Sequence, residues 1–126
     1  SNVTNMCTMF YGAKEFNQAL DNWNVSSVKN MSYMFEYAES FNQALNNWDV
    51  NNVTNMKLMF HDVIAFEKRF NNGNALPSDT NDLKVWFKEN SDMMLAIDIK
   101  EREKDNLDSF YNNLESLYNN LDKENN

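Results

Sequence analysis

A single cysteine, Cys7, excludes an internal disulfide and any cage built from several thiolates. His61 is the one histidine, and it stands at a repeat position unrelated to that of Cys7, so no nucleophile–base pair is suggested. Glycine (two) and proline (one) are scarce, so tight turns must be supplied by another residue. Asparagine, about one residue in five, fits that need because it tolerates the left-handed region and bonds its own backbone. No apolar run approaches the length of a membrane span, and no secretory signal is legible in these residues. Basic residues are also few. Residues 1–75 carry 5 Lys and Arg against 7 Asp and Glu, and residues 76–126 carry 6 against 12, so most of the net charge of −8 belongs to the tail. Neither part has the basic footprint that a phosphate backbone requires, which excludes nucleic acid as a partner.

What is abundant is large apolar side chains: eight Met, nine Phe, five Tyr and three Trp in 126 residues, enough for a core. They recur with a fixed step. Val3-Thr4-Asn5-Met6, Val28-Lys29-Asn30-Met31 and Val53-Thr54-Asn55-Met56 are each 25 residues apart. The same step carries Met9-Phe10 to Met34-Phe35 and Met59-Phe60, and Phe16-Asn17-Gln18-Ala19-Leu20 to Phe41-Asn42-Gln43-Ala44-Leu45. The third repeat has the degraded Phe66-Glu67-Lys68-Arg69-Phe70, and Trp23-Asn24-Val25 and Trp48-Asp49-Val50 end as Gly73-Asn74-Ala75. Internal repetition of this kind dictates stacking, since one unit cannot bury its own apolar side.

Spacing within a unit suggests two elements. Val53, Met56, Met59, Phe60 and Val63 follow steps of three and four, one face of a helix beginning near Val3, Val28 and Val53. Leu45, Trp48, Val50 and Val53 follow L-x-x-L-x-L, which reads as a short strand near Trp48–Val50 and, one unit earlier, near Trp23–Val25. The expected fold is therefore an α/β repeat, a leucine-rich-repeat-like solenoid of three 25-residue strand–helix units (1–25, 26–50 and 51–75) with a C-terminal helical cap in the acidic tail, 76–126. Ser1-Asn2-Val3 aligns with the interior of the later units, so the chain is expected to begin inside a repeat, with Val3, Met6 and Phe10 partly exposed.

The repeat words Trp-Asp-Val-x-Asn-Val-Thr-Asn-Met, then Met-Phe, an Ala and Phe-Asn-Gln-x-Leu, resemble those of the BspA-like leucine-rich repeat surface proteins, including the repeat modules of mycoplasma lipoproteins. The resemblance covers about residues 1–72. It implies a cell-surface or extracellular protein whose role is adhesion to a protein or glycan on another cell or molecule. The tail after residue 76 carries no such resemblance.

In the tail, Ser78 or Asp79 opens a helix with Leu83, Trp86 and Phe87 on one face, and Asn90-Ser91-Asp92 reads as a break and a fresh cap. Leu107, Phe110, Tyr111, Leu114, Leu117, Tyr118 and Leu121 then form an apolar face at three–four spacing. That face either packs as the terminal cap or pairs with another chain, with Leu107, Phe110, Leu114, Leu117, Tyr118 and Leu121 as the contact residues. Capping is the expectation, and with it a monomer.

Candidate sites are few. His61 aligns with Tyr11 and Glu36, a set that describes a solvated position, and Cys7 aligns with Ser32 and Lys57 as an exposed thiol. Glu36 and Glu39 are expected to be solvated, and the methionines to pack in the core. The acceptor patterns at Asn2, Asn24, Asn30 and Asn52 are by-products of the repeat. No phosphate loop, metal-ligand spacing or cofactor motif is present, so the chain is expected to be non-enzymatic and to need no cofactor. What remains is the face flanking the buried Trp–Val positions: Asn22, Asn24 and Ser26 in one row, Asn47, Asp49 and Asn51 in the next. These are short polar side chains that can meet a partner with little entropy loss.

Overall fold

The computed structural model describes residues 3–124. It divides into two compact units, Ser1–Leu95 and Ala96–Asn126. The regular secondary structure of the described residues is helical: α1, Ile64–Phe70, and α2, Thr80–Glu124. No strand is present among them; the only pairings are two isolated parallel bridges, Asn5 with Asn30 and Asn30 with Asn55. The leucine-rich-repeat solenoid of strand–helix units is therefore the wrong fold class for this chain.

The expected helices fail for a local reason. Thr8, Tyr33 and Leu58 have φ of 58°, 56° and 51°, and Gly12, Tyr37 and Asp62 have φ of 67°, 62° and 57°. A left-handed residue just after Met6, Met31 and Met56, and another four residues on, breaks any α-helix. Each repeat instead runs as successive tight turns. In the first, the amides of Met9, Tyr11 and Ala13 donate to the carbonyls of Met6, Thr8 and Phe10. The intervening amides of Met6, Thr8, Phe10 and Gly12 donate across to Asn30, Ser32, Met34 and Glu36 at 2.8–3.0 Å. One repeat later, Met31, Tyr33, Phe35 and Tyr37 donate to Asn55, Lys57, Met59 and His61 at 2.8–3.0 Å. Alternate amides thus serve the turn and the neighbouring repeat, a division that a helix, with all its amides directed to i−4, does not allow.

Asparagine makes these turns, as its abundance implies. Asn5, Asn30 and Asn55 each accept, through Oδ1, the amide of the residue two positions on, at 2.9–3.1 Å. The expected strands fail for a related reason. The amides of Trp23, Trp48 and Val53 close turns onto Leu20, Leu45 and Val50 and do not reach across to a neighbouring strand.

The core of the first unit is two columns of phenylalanine rings. Phe10, Phe35 and Phe60 lie with centroids 5.5 and 5.4 Å apart, and Phe16, Phe41 and Phe66 at 5.8 and 6.2 Å. Met31, Met34, Met56, Met59 and Leu45 fill the space around them and are buried. Of the residues expected at an open N-terminal end, Val3 is exposed and Phe10 half-buried, but Met6 is buried.

The third repeat departs where its sequence does. The first two repeats bond through Asn17 and Asn42, whose side chains are joined at 2.9 Å, while Gln43 donates to Asn17. With Glu67-Lys68-Arg69 in place of Asn-Gln-Ala, that segment becomes α1, and Arg69 Nη1 donates to the Asn42 carbonyl at 2.7 Å. Residues 78–80 then supply the acceptors that a following repeat would supply. The amide of Leu58 donates to the Ser78 carbonyl at 3.1 Å, and that of Met56 to Thr80 Oγ1 at 2.9 Å.

Asp79 immediately precedes helix α2, and its carboxylate accepts the Asp82 amide at 3.2 Å, an N-cap arrangement. Leu83, Trp86, Phe87 and Met94 are buried, with Phe87 centred 5.8 Å from Phe60 and Trp86 6.0 Å from Phe66. The break expected at Asn90-Ser91-Asp92 does not occur. Asn90 Nδ2 and Ser91 Oγ turn back to the carbonyls of Trp86 and Phe87, at 2.8 and 2.6 Å, and the helix continues through them.

Candidate functional site

Trp48 and the residues around it form the floor of a groove of about 420 Å³ in the first unit. Trp48 is buried by the turn onto Leu45 and by its indole N–H, which donates to the Leu20 carbonyl at 2.9 Å. Val50 and Phe87 extend the apolar floor, and Asn47, Asp49 and Asn51 stand along one side. The opposite wall is the face of α2 that carries Lys84, Val85, Lys88 and Ser91. Two walls from separate chain segments are held at a fixed spacing by Lys84, whose Nζ donates to the carbonyls of Asn51 and Val53 at 3.1 and 2.9 Å.

The polar side chains of this groove are positioned by their own turns. Asp49 Oδ1 accepts the Asn51 amide at 3.0 Å, which fixes the carboxylate at the rim. Asn47 is held from the preceding repeat by Asp21, which accepts its amide at 2.9 Å and its Nδ2 at 2.6 Å. With Asn47, Lys84 and Ser91 bonded within the protein, the Asp49 carboxylate, the Asn51 side-chain amide and the Lys88 ammonium supply acceptors and donors over an apolar floor, a set suited to binding a polar ligand.

Three of the residues expected to bind a partner, Asn47, Asp49 and Asn51, are thus brought together in one groove. Asn22, Asn24 and Ser26 do not line it. Asn24 Oδ1 is taken up by the Ser26 amide and hydroxyl, at 3.1 and 2.6 Å, and Ser26 O by Asn52 Nδ2 at 2.7 Å. Trp23, the counterpart of Trp48, is 39 % exposed against 5 %. Lys84, Lys88 and Ser91 escaped the sequence reading, although their i, i+4, i+7 spacing with Phe87 marks one helix face. The second set of expected contacts, Leu107, Phe110, Leu114, Leu117, Tyr118 and Leu121, lies in the second unit, and every one of them is exposed.

A separate cluster surrounds His61. Its Nδ1 lies 2.7 Å from Oε2 of Glu36, a residue only 6 % exposed, and its Nε2 lies 3.7 Å from Asp62. The position shared by Tyr11, Glu36 and His61 is therefore not uniformly solvated: Glu36 is buried, while Glu39 is exposed. Nearby Glu67 is pushed above the usual carboxylate range by burial, reinforced by the Asp62 charge and opposed by His61. The Tyr37 phenol is raised chiefly by the adjacent Glu36 carboxylate. Among the described residues no group of three or more His, Cys, Asp or Glu is placed to hold a metal ion. Cys7 is half-buried, with Ser32 Oγ 3.3 Å from its sulfur, and is not the exposed thiol expected. Asn2, one of the four glycosylation-type patterns, lies outside the described residues.

No helix among the described residues is long and apolar enough to cross a membrane. The family described as Mycoplasma protein of unknown function, DUF285, matches residues 1–100. No curated protein and no solved structure matches the chain.

Proposed function

The chain belongs to the DUF285 family, a Mycoplasma protein family of unknown function, and from that premise we propose that it is a non-enzymatic surface module that binds a protein or glycan partner in the Trp48 groove. The observation that carries this reading is the convergence of Asn47, Asp49 and Asn51 with Lys84, Lys88 and Ser91 over Trp48, Val50 and Phe87. Asn47 and Asp49 are short side chains already held by hydrogen bonds, so they can meet a partner with little ordering cost. The resemblance of the repeat words to those of BspA-like surface proteins supports a location at the cell surface and an adhesive role.

The test is to apply the labelled chain to an array of glycans and immobilised host-surface proteins, beside the variant Asn47→Ala/Asp49→Ala/Lys88→Ala. All three substituted side chains are exposed, so the fold should tolerate their loss. Retention by an array component that is lost in the triple variant supports the groove. Retention that survives in the variant places the site elsewhere, and no retention at all argues against a binding module of this kind.

A further inference from the structure

The second unit, taken by itself, presents an apolar face with a strict seven-residue repeat. Leu107-Asp108-Ser109-Phe110-Tyr111-Asn112-Asn113 is followed by Leu114-Glu115-Ser116-Leu117-Tyr118-Asn119-Asn120 and then by Leu121-Asp122. Written as heptads, Leu107, Leu114 and Leu121 occupy the a positions and Phe110 and Leu117 the d positions. All five are 50–62 % exposed, as are the flanking Tyr111 and Tyr118, at 57 % and 73 %. A contiguous apolar stripe of this size on a helix marks an interaction surface.

We propose that this stripe is a self-association seam, along which α2 pairs with α2 of a second copy of the chain as a coiled coil. Three observations select that occupant. The residue words recur every seven positions through two heptads, a spacing that keeps an apolar seam facing a partner helix. The positions bordering the seam carry Asn106, Asn113, Asn120, Tyr111 and Tyr118, with no charge among them. The acids Asp108, Glu115 and Asp122 all fall at the outward b position, so two copies of a chain of net charge −8 can meet along this stretch without opposing like charges. Residues 105–122 also contain no Lys or Arg, which excludes an anionic lipid surface as the occupant.

The helix is already in place for such pairing. Burial of Leu83, Trp86, Phe87 and Met94 nucleates α2, so the seam does not bear the cost of starting a helix that a free peptide of this length would bear. The seam itself lies within residues 105–122, and the proposal is independent of ligand binding in the Trp48 groove.

Sedimentation equilibrium of the whole chain over about 1–200 µM tests it, since mass action makes association concentration-dependent. The expected result is an average mass rising to at least that of two chains. Leu114→Glu should hold it at one chain across the range, whereas Asn112→Glu, on the opposite f position, should leave it unchanged. Leu114→Met, which keeps the apolar layer, should restore association. A parent chain that stays monomeric throughout overturns the proposal. So does association that persists in Leu114→Glu, or that is lost equally in Asn112→Glu.

Discussion

The indole N–H of Trp48 donates to the carbonyl of Leu20, 28 residues earlier, at 2.9 Å. Trp48 is 5 % exposed, so the bond is made away from water and ties the second repeat to the first. Its ring also lies 6.2 Å from that of Phe35, the middle member of one phenylalanine column. Trp48→Phe keeps a ring there but leaves the Leu20 carbonyl without that donor, which should cost about 1–3 kcal/mol. Trp23→Phe, at the 39 % exposed counterpart, should cost less than about 1 kcal/mol. Urea denaturation of the two variants, followed by circular dichroism, compares them directly; equal losses would remove the special role of the Leu20 bond.

Thr80 Oγ1 stands where a following repeat would offer a backbone acceptor to Met56. Met56 is fully buried, so Thr80→Val should strand its amide and destabilise the first unit by about 1–3 kcal/mol. Thr80→Ser keeps the acceptor and should stay within about 1 kcal/mol of the parent chain. Hydrogen exchange at the Met56 amide provides the local readout, with faster exchange expected in the Val variant only.

Burial raises the Glu67 carboxyl above its unfolded value, so in that interval the folded chain binds more protons than the unfolded chain. Its contribution to stability is therefore complete below the unfolded value, about pH 4.3, and is lost as pH rises through the raised folded value. Glu67→Gln removes this contribution. Across about pH 4 to 7 the parent should lose stability relative to the variant as pH rises. A constant difference between the two denaturation midpoints would show that Glu67 is not the group responsible.

Trp86 covers Phe66 at 6.0 Å and donates through Nε1 to Asn71 Oδ1 at 3.2 Å. Trp86→Ala should destabilise the first unit by about 3–5 kcal/mol, in the range for large-to-small changes of a buried tryptophan. The two remaining tryptophans, Trp23 and Trp48, both belong to the repeats, so their fluorescence follows the unfolding of the repeats. If their transition stays where it is in the parent chain, residues 80–95 fold independently of the repeats.

The sequence by itself determined the 25-residue register, the residues of the core and the turn-forming role of asparagine. Each follows from local chemistry repeated at fixed intervals. Phe10, Phe35 and Phe60 must meet if the repeats stack in register, and Asn5, Asn30 and Asn55 bond their own backbones whatever surrounds them. The end of the pattern was equally legible, since Glu67-Lys68-Arg69 cannot continue the Asn17–Asn42 pairing and forms α1 instead.

Only the tertiary structure decided what the backbone does between those fixed points. An apolar step of three and four residues suits a helix face, but it also suits a run of tight turns that returns a side chain to the interior every third or fourth residue. The two differ in where the amides go. Here the amides of Met6, Thr8 and Phe10 are taken by carbonyls of the next repeat, and Thr8 accepts a left-handed conformation to allow it. That choice depends on partners 24 residues away and is invisible in any local window. The groove is of the same kind: Asn47, Asp49 and Asn51 could be picked out from the repeat, but the wall bearing Lys84 and Lys88 is set beside them by the packing of Trp86 and Phe87 on Phe66 and Phe60, together with the Lys84 bonds to the carbonyls of Asn51 and Val53, more than 30 residues back along the chain.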